Sequence, residues 1–434
     1  MASLGDLTGA EQSLAKSAAI LERLSERHPG DSRMTLEWAT SLERRANVLS
    51  LEGRNAHAKE NAERARGLLG KAETAGAARE LASVWRELSI IEERRGLNLQ
   101  AIEAARQAVD WARRAAVPRE ETAWAYERMA TAIAAGIGPN AEAFAAANAA
   151  LGLYGNHGAA CAGDPPCSVG YLTAVVQLAT IHGFAGQDAE VLRMFREREA
   201  DIRELVRRDP NDRSLLRQLR AAQHLQGQAA QSLDQIPEAL AKFRETIETA
   251  QEIERADPSH PDSHCHVVLA RAKYAEVLVM TTNRIDEAES QLRAALQLAD
   301  SSESDSLTCL DYRKVTVINL ARTAERRGDW AAGMEWRRET VRNAMRYAAK
   351  SPGEPLGLVI EAGANYELGL GGLEASRHGD RLARLKEARQ ALLRALEVYR
   401  RLHEMGDPLR NQYPGWPQRT SALLATVERA LSNL

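Results

Sequence analysis

The sequence predicts an all-α fold, a right-handed superhelical solenoid of about nine antiparallel helical hairpins ending in a capping helix. Three observations carry this expectation. First, alanine, leucine, arginine and glutamate dominate the 434 residues, and all four favour helix. Aromatics reach only 5% and phenylalanine occurs four times, too few for a β-sandwich or an aromatic-rich barrel. Second, a phrase recurs along the chain: a small residue, an apolar residue four later, and a small residue three after that. The i, i+4, i+7 spacing places all three on one helical stripe, where small side chains let two helices approach closely. Third, prolines and N-capping residues fall between the copies.

Taken in order, the first copy is Ala10, Leu14 and Ser17 after Gly5. It lies in a half-repeat over 1–30 with no helix ahead of it, so Leu4, Leu7 and Leu14 either lack half their packing or continue something upstream. Gly53 then introduces Ala58, Ala62 and Ala65; Gly96 introduces Ala101, Ala105 and Ala108; Gly138 introduces Ala143, Ala147 and Ala150. Gly186 precedes Val191 and Phe195; Asp234 precedes Ala239, Phe243 and Thr246; Asn283 precedes Ala288, Leu292 and Ala295. Two looser copies read Gly328, Gly333, Thr340 and Ala388, Leu392, Ala395. The first small positions are separated by 42 to 55 residues. Upstream of the copies runs a second amphipathic stretch, such as Trp38, Leu42, Val48 and Leu49, or Leu81, Trp85, Leu88 and Ile91. Each unit is therefore a hairpin of helix A and helix B, with about eight hairpins of 42–55 residues over 31–405. Pro29-Gly30-Asp31, Asp209-Pro210-Asn211-Asp212, Asp257-Pro258 and Ser351-Pro352-Gly353 mark helix ends, and Pro118 and Pro237 sit where first-turn prolines are tolerated. Residues 406–434 close the chain with Tyr413-Pro414-Gly415-Trp416-Pro417 and a helix over 421–431, expected to cover the last apolar face. No Ser/Gly-rich linker divides 1–434, which reads as one solenoid.

The phrase resembles the tetratricopeptide repeat, in which a small residue of helix A precedes the small residue of helix B by about twelve positions, as Gly227 precedes Ala239. A standard 34-residue repeat would close with proline near position 251, whereas Pro258 stands seven residues later, so the likeness is to the long-helix variety. The opening LGDLTGAEQSLAKSAAILERL (4–24) resembles the first repeat after the kinase and membrane-spanning parts of certain bacterial serine/threonine protein kinases. This chain has no glycine-rich loop, His-Arg-Asp or Asp-Phe-Gly, so no phosphoryl-transfer residue carries over. Arginine supplies 49 of the 57 basic residues, a usage that points to a GC-rich bacterial genome.

Residues with chemistry fall mostly into structural roles. The cluster His260, Asp262, His264, Cys265 and His266 has no distant Cys-x-x-Cys or histidine pair to complete a zinc site, and is read as a polar helix entry capped by Asp262 or Ser263. Cys161 and Cys167 flank an irregular connection and are expected as free thiols in a reducing cytosol, or as a disulfide outside it. Cys265 and Cys309 begin two A helices and are expected unpaired. Gly369, Gly371 and Gly372 read as locally loosened helix, and Gly70-Lys71-Ala72 lacks the earlier glycine of a phosphate loop, with Ala65 in its place. Net charge is −3 and arginine pairs such as Arg94-Arg95 have acidic neighbours, so no nucleic-acid partner is expected. No apolar run of about 20 residues is apparent, so no membrane segment is expected. Localisation is cytoplasmic for the chain as given, or extracytoplasmic within a membrane-spanning kinase.

What remains is the concave wall that the resemblance assigns to the A helices. Mapped onto this chain, its ligand-facing positions are Glu43 and Asn47, Arg86 and Ile90, Arg128 and Ala132, Val176 and Thr180, His224 and Gln228. Of these Glu43, Asn47, Arg86, Arg128, Thr180, His224 and Gln228 are the polar candidates for a peptide or protein partner. The expected function is a non-catalytic protein-interaction scaffold with no cofactor and no metal; the alternative is a regulatory segment of a serine/threonine kinase whose catalytic domain lies outside this chain.

Overall fold

The computed structural model describes residues 7–70, 74–155, 161, 164–258, 263–301, 306–406 and 415–434. Leu4, Gly5, Lys71, Ala72, His260, Asp262, Tyr413 and Pro414, named above, lie outside the described residues. The described residues form eighteen α-helices and no strand. They divide into two compact units that meet in sequence at Gln235 and Ile236.

The first unit holds α1 (Leu7–Arg27), α2 (Ser32–Leu51), α3 (Asn55–Leu69), α4 (Ala75–Arg94), α5 (Asn98–Arg114), α6 (Arg119–Ile137), α7 (Ala141–Tyr154), α8 (Pro165–Phe184), α9 (Asp188–Arg208) and α10 (Arg213–Ser232). The second holds α11 (Ile236–Ala256), α12 (Ser263–Thr281), α13 (Ile285–Ser301), α14 (Leu307–Arg326), α15 (Trp330–Lys350), α16 (Pro355–Ala375), α17 (Arg381–Glu404) and α18 (Trp416–Ser432). In each unit helices adjacent in sequence pack as antiparallel hairpins. In the first unit successive even-numbered helices also touch in a row, α2 on α4, α4 on α6, α6 on α8 and α8 on α10. No contact of similar extent joins its odd-numbered helices among the described residues. The row is thus tighter on the even side, and the even helices line its inner face.

The repeated phrase explains this packing. All nine first small positions, from Ala10 to Ala388, are buried, and they fall on the odd-numbered helices. Ala62, Ala105, Phe195, Phe243, Leu292 and Leu392 follow four residues later and are buried too. Trp38, Leu42, Leu81 and Leu88 come from the facing even helices and join the same core as Ala58, Ala62 and Ala65. Five of the turns from an even to an odd helix are built alike. Gly53, Gly96, Gly186 and Gly328 adopt positive φ, and the next N–H bonds back five residues, as Leu97 N to Glu92 O at 2.8 Å. Asp234 fills the same slot at φ 58°. Asp31 and Asp212 cap α2 and α10 through their side chains.

Three expectations need correction, and of the two alternatives for Cys161 and Cys167 the structure holds one. The stretch α8 is an uncharged helix, with Pro166–Phe184 apolar and long enough by composition to cross a membrane. Here more than half of it is buried and it packs against α6, α7, α9 and α10, so its apolar surface is core. Cys161 and Cys167 are joined in a disulfide, their Cα atoms 5.1 Å apart, closing the turn that enters α8. Cys265 and Cys309 are also joined, with Cα atoms 5.0 Å apart. Sequence separation of 44 hid this pairing; α12 and α14 lie side by side and start at the same level. Finally, α16 runs unbroken through Gly369, Gly371 and Gly372, all three buried. Their missing side chains admit neighbours: a Cβ on Gly372 would lie 3.0 Å from Ala388 Cβ, and one on Gly371 would occupy the place of Arg337 Cδ and Nε.

Candidate binding groove

The inner face of the first unit is polar because a second stripe runs beside each apolar one. On α2 it is Thr40, Glu43 or Arg44, and Asn47; on α4, Glu80, Ser83 and Glu87; on α6, Trp124, Glu127 or Arg128, and Thr131. The i, i+3, i+7 spacing lays each set along one side of its helix. Hydrogen bonds tie the stripes together. Ser83 Oγ donates to Glu43 Oε1 at 2.9 Å, and Asn47 Nδ2 donates to Glu87 Oε2 at 3.0 Å. Thr131 Oγ1 lies 2.9 Å from Gln177 Oε1 on α8.

Two cavities open between these helices. The larger, about 550 Å³, is lined by Glu43, Arg44, Asn47, Arg86 and Glu87, with Ser13 and Leu14 of α1 on its far side. The second, about 490 Å³, shares Arg44 and Arg86 and adds Thr40, Arg79, Glu80 and Trp124. Arg86 stands on the wall of both, its guanidinium 5.3 Å from the centroid of the half-exposed Trp124 ring. Volumes of this size suit a short peptide segment or a few side chains.

Burial and like charge set the electrostatics. Burial pushes the Glu80 carboxyl up to about 7, and the nearby Glu43 charge adds to the shift, while the Thr40 hydrogen bond, Arg44 and Arg79 oppose it. Glu87 is raised by burial first, with the Asn47 hydrogen bond opposing. Glu127, just behind the wall, is pushed up to about 8 by burial, with Arg86 the only opposing charge. Glu87 Oε1 and Glu127 Oε1 are buried with no hydrogen-bond partner.

Of the seven expected positions the structure gathers three, Glu43, Asn47 and Arg86, in the larger cavity. Arg128 is turned inward: its Nε donates to Ser89 Oγ at 2.8 Å and its Nη2 pairs with Glu93. Thr180 donates its hydroxyl back to Val176 O at 2.8 Å. His224 and Gln228 lie on α10, half-buried and away from both cavities. Sequence reasoning missed Arg44, Glu80, Glu87 and Trp124. Their signal was the polar stripe itself, since repeat mapping took two positions per helix where a stripe supplies three or four.

No family model matches the sequence, and no curated protein matches it. Among solved structures the apo form of the quorum sensor NprR from B. thuringiensis is similar at TM-score 0.53 and 13% identity, covering 91% of this chain and 99% of that one. The apo form of RapI is similar at TM-score 0.52 and 10% identity, covering 93% of this chain and 98% of that one. The fold of this chain is accordingly a tetratricopeptide-like helical repeat. At these identities the likeness is one of fold, and the helical-repeat architecture places even-numbered helices where the cavities lie; which groups face a ligand comes from this chain's own side chains.

Proposed function

We propose that this helical-repeat chain is a non-catalytic interaction scaffold that binds an extended peptide, or an exposed segment of a protein partner, along the inner face of α2, α4 and α6. The observation that carries the reading is the cavity of about 550 Å³ between α1, α2 and α4, whose accessible wall presents Glu43 and Asn47 beside Arg44 and Arg86. A bound main chain supplies both kinds of group such a wall needs, N–H donors for the carboxylates and C=O acceptors for the arginines. The similarity to a quorum sensor is in keeping with a recognition role but rests on fold. The kinase-associated alternative rests on residues 4–24 alone, and neither structural neighbour adds to it.

Selection of random displayed peptides on the full chain tests this. Enriched peptides are expected to lose at least about tenfold in affinity, about 1.4 kcal/mol, against Glu43→Ala with Arg86→Ala, while far-UV circular dichroism stays unchanged. Peptides that bind the double variant as tightly as the parent would overturn the groove. His224→Ala and Gln228→Ala then report whether the contact extends to α10.

A further inference from the structure

We infer that the reduced chain holds a zinc ion at the shared start of α12 and α14, between His264, Cys265 and Cys309. The local sequence offers histidines and one cysteine without a partner ligand at zinc-site spacing. The fold supplies the missing one, because Cys309 enters from α14. The three candidate ligand atoms lie within 4.8 Å of one another. His264 Nε2 is 3.5 Å from Cys265 Sγ and 3.4 Å from Cys309 Sγ. Zinc bonds of about 2.0 Å to nitrogen and about 2.3 Å to sulfur, arranged tetrahedrally, require nitrogen–sulfur separations of about 3.5 Å. The imidazole nitrogen already stands at this distance from both sulfurs; breaking the S–S bond frees the sulfurs to part to the roughly 3.8 Å that two thiolates on one tetrahedral zinc require.

Position at two helix starts favours the thiolates that such a site needs. Cys265 and Cys309 are each the third residue of a helix, and Cys309 N–H is already held by Ser306 Oγ at 3.1 Å in the α14 cap. The positive end of each helix lowers the energy of a thiolate there. Both cysteines are buried, where an uncompensated thiolate is costly, so the zinc charge itself is what holds them ionised. One His and two Cys ligands leave a fourth position for water, and the set suits zinc rather than calcium or magnesium.

The chain therefore has two forms at this point. In the oxidised form the sulfurs are bonded to each other and offer no thiolate. A dithiol reductant gives two electrons and two protons to the S–S bond, leaving as its own disulfide and yielding two thiols. Zinc(II) then displaces both thiol protons, forming two Zn–S bonds and accepting the His264 nitrogen. Either form fastens α12 to α14, so redox state exchanges a covalent staple for a metal one.

Cobalt(II) titration of the full-length chain, reduced with a phosphine under inert gas, tests this. One equivalent is expected to produce the intense absorption of a tetrahedral cobalt–thiolate centre, abolished by added zinc(II). The oxidised chain is expected to show none. His264→Ala is expected to weaken binding by about tenfold or more, and Cys309→Ser to lower the charge-transfer intensity. His264 is only half-buried, so its variant keeps the test open if Cys309→Ser fails to fold. No absorption in the reduced parent, equal binding by the oxidised chain, or parent-like affinity of His264→Ala would each overturn the site.

Discussion

At the scale of single residues, Glu127 shows how burial becomes a dependence on pH. Its carboxyl is nearly solvent-free on α6, and burial raises it from the ordinary 4.5 to about 8. Below about pH 4.5 it is protonated in folded and unfolded chains alike and costs nothing. Between there and about pH 8 the unfolded chain releases a proton that the folded chain keeps, so stability falls as pH rises. Glu127→Gln removes that dependence while keeping the shape. Thermal unfolding of the variant is expected to match the parent at pH 4 and to exceed it by several degrees at pH 9, a difference of a few kcal/mol (~) by linkage. Equal melting temperatures at both values would show that the carboxyl finds a partner when ionised.

At the scale of the element, α16 carries two kinds of glycine. Gly371 faces Arg337, which occupies the middle position of the repeat phrase that elsewhere holds Phe243 or Leu292. Arg337 is buried there because two carboxylates meet it: Glu325 at 2.6 and 3.0 Å, and Glu367 at 2.8 Å with its main-chain oxygen at 2.7 Å. Gly363, on the same helix, has nothing within 4 Å of where a side chain would begin. Gly363→Ala is expected to raise the unfolding free energy measured in urea by about 0.5–1 kcal/mol through helix propensity. Gly371→Ala is expected to cost about 1–3 kcal/mol by crowding the guanidinium. A shift of the same sign for both would show that Arg337 moves aside freely. This element also marks where reading the sequence succeeds and stops. Gly333 and Thr340 were legible as helix-facing small positions because burial of small residues repeats with the helical period. Arg337 was not, since a charge in an apolar slot makes sense only once Glu325 and Glu367, twelve residues before and thirty after, are seen beside it. The Cys265–Cys309 bond was hidden for the same reason, and so was the crowding at Gly371. In the groove, Glu43, Asn47 and Arg86 followed from repeat position; Arg128 did not behave as expected because Ser89 and Glu93 hold it first.

At the scale of the whole molecule, repeats share stability mainly with their neighbours. The last of them, α18, lies on α17 and α16 and places Val427 against Leu385, Ala388 and Leu392, while Trp416 meets the Tyr366 ring edge-on at 5.3 Å. Removal of residues 415–434 is expected to strip hydrogen-exchange protection from α17 first and to leave α11 to α13 near their original values. Uniform loss across the second unit would show instead that it opens as one cooperative body. The uncharged α8 carries a different consequence, one that belongs to synthesis. Half of its lining comes from α6 and α7, which leave the ribosome earlier, and half from α9 and α10, which follow. Until residue 232 has emerged, the growing polypeptide displays a greasy rod of bilayer-crossing length with one flank bare, a target for insertion machinery and for chaperones alike.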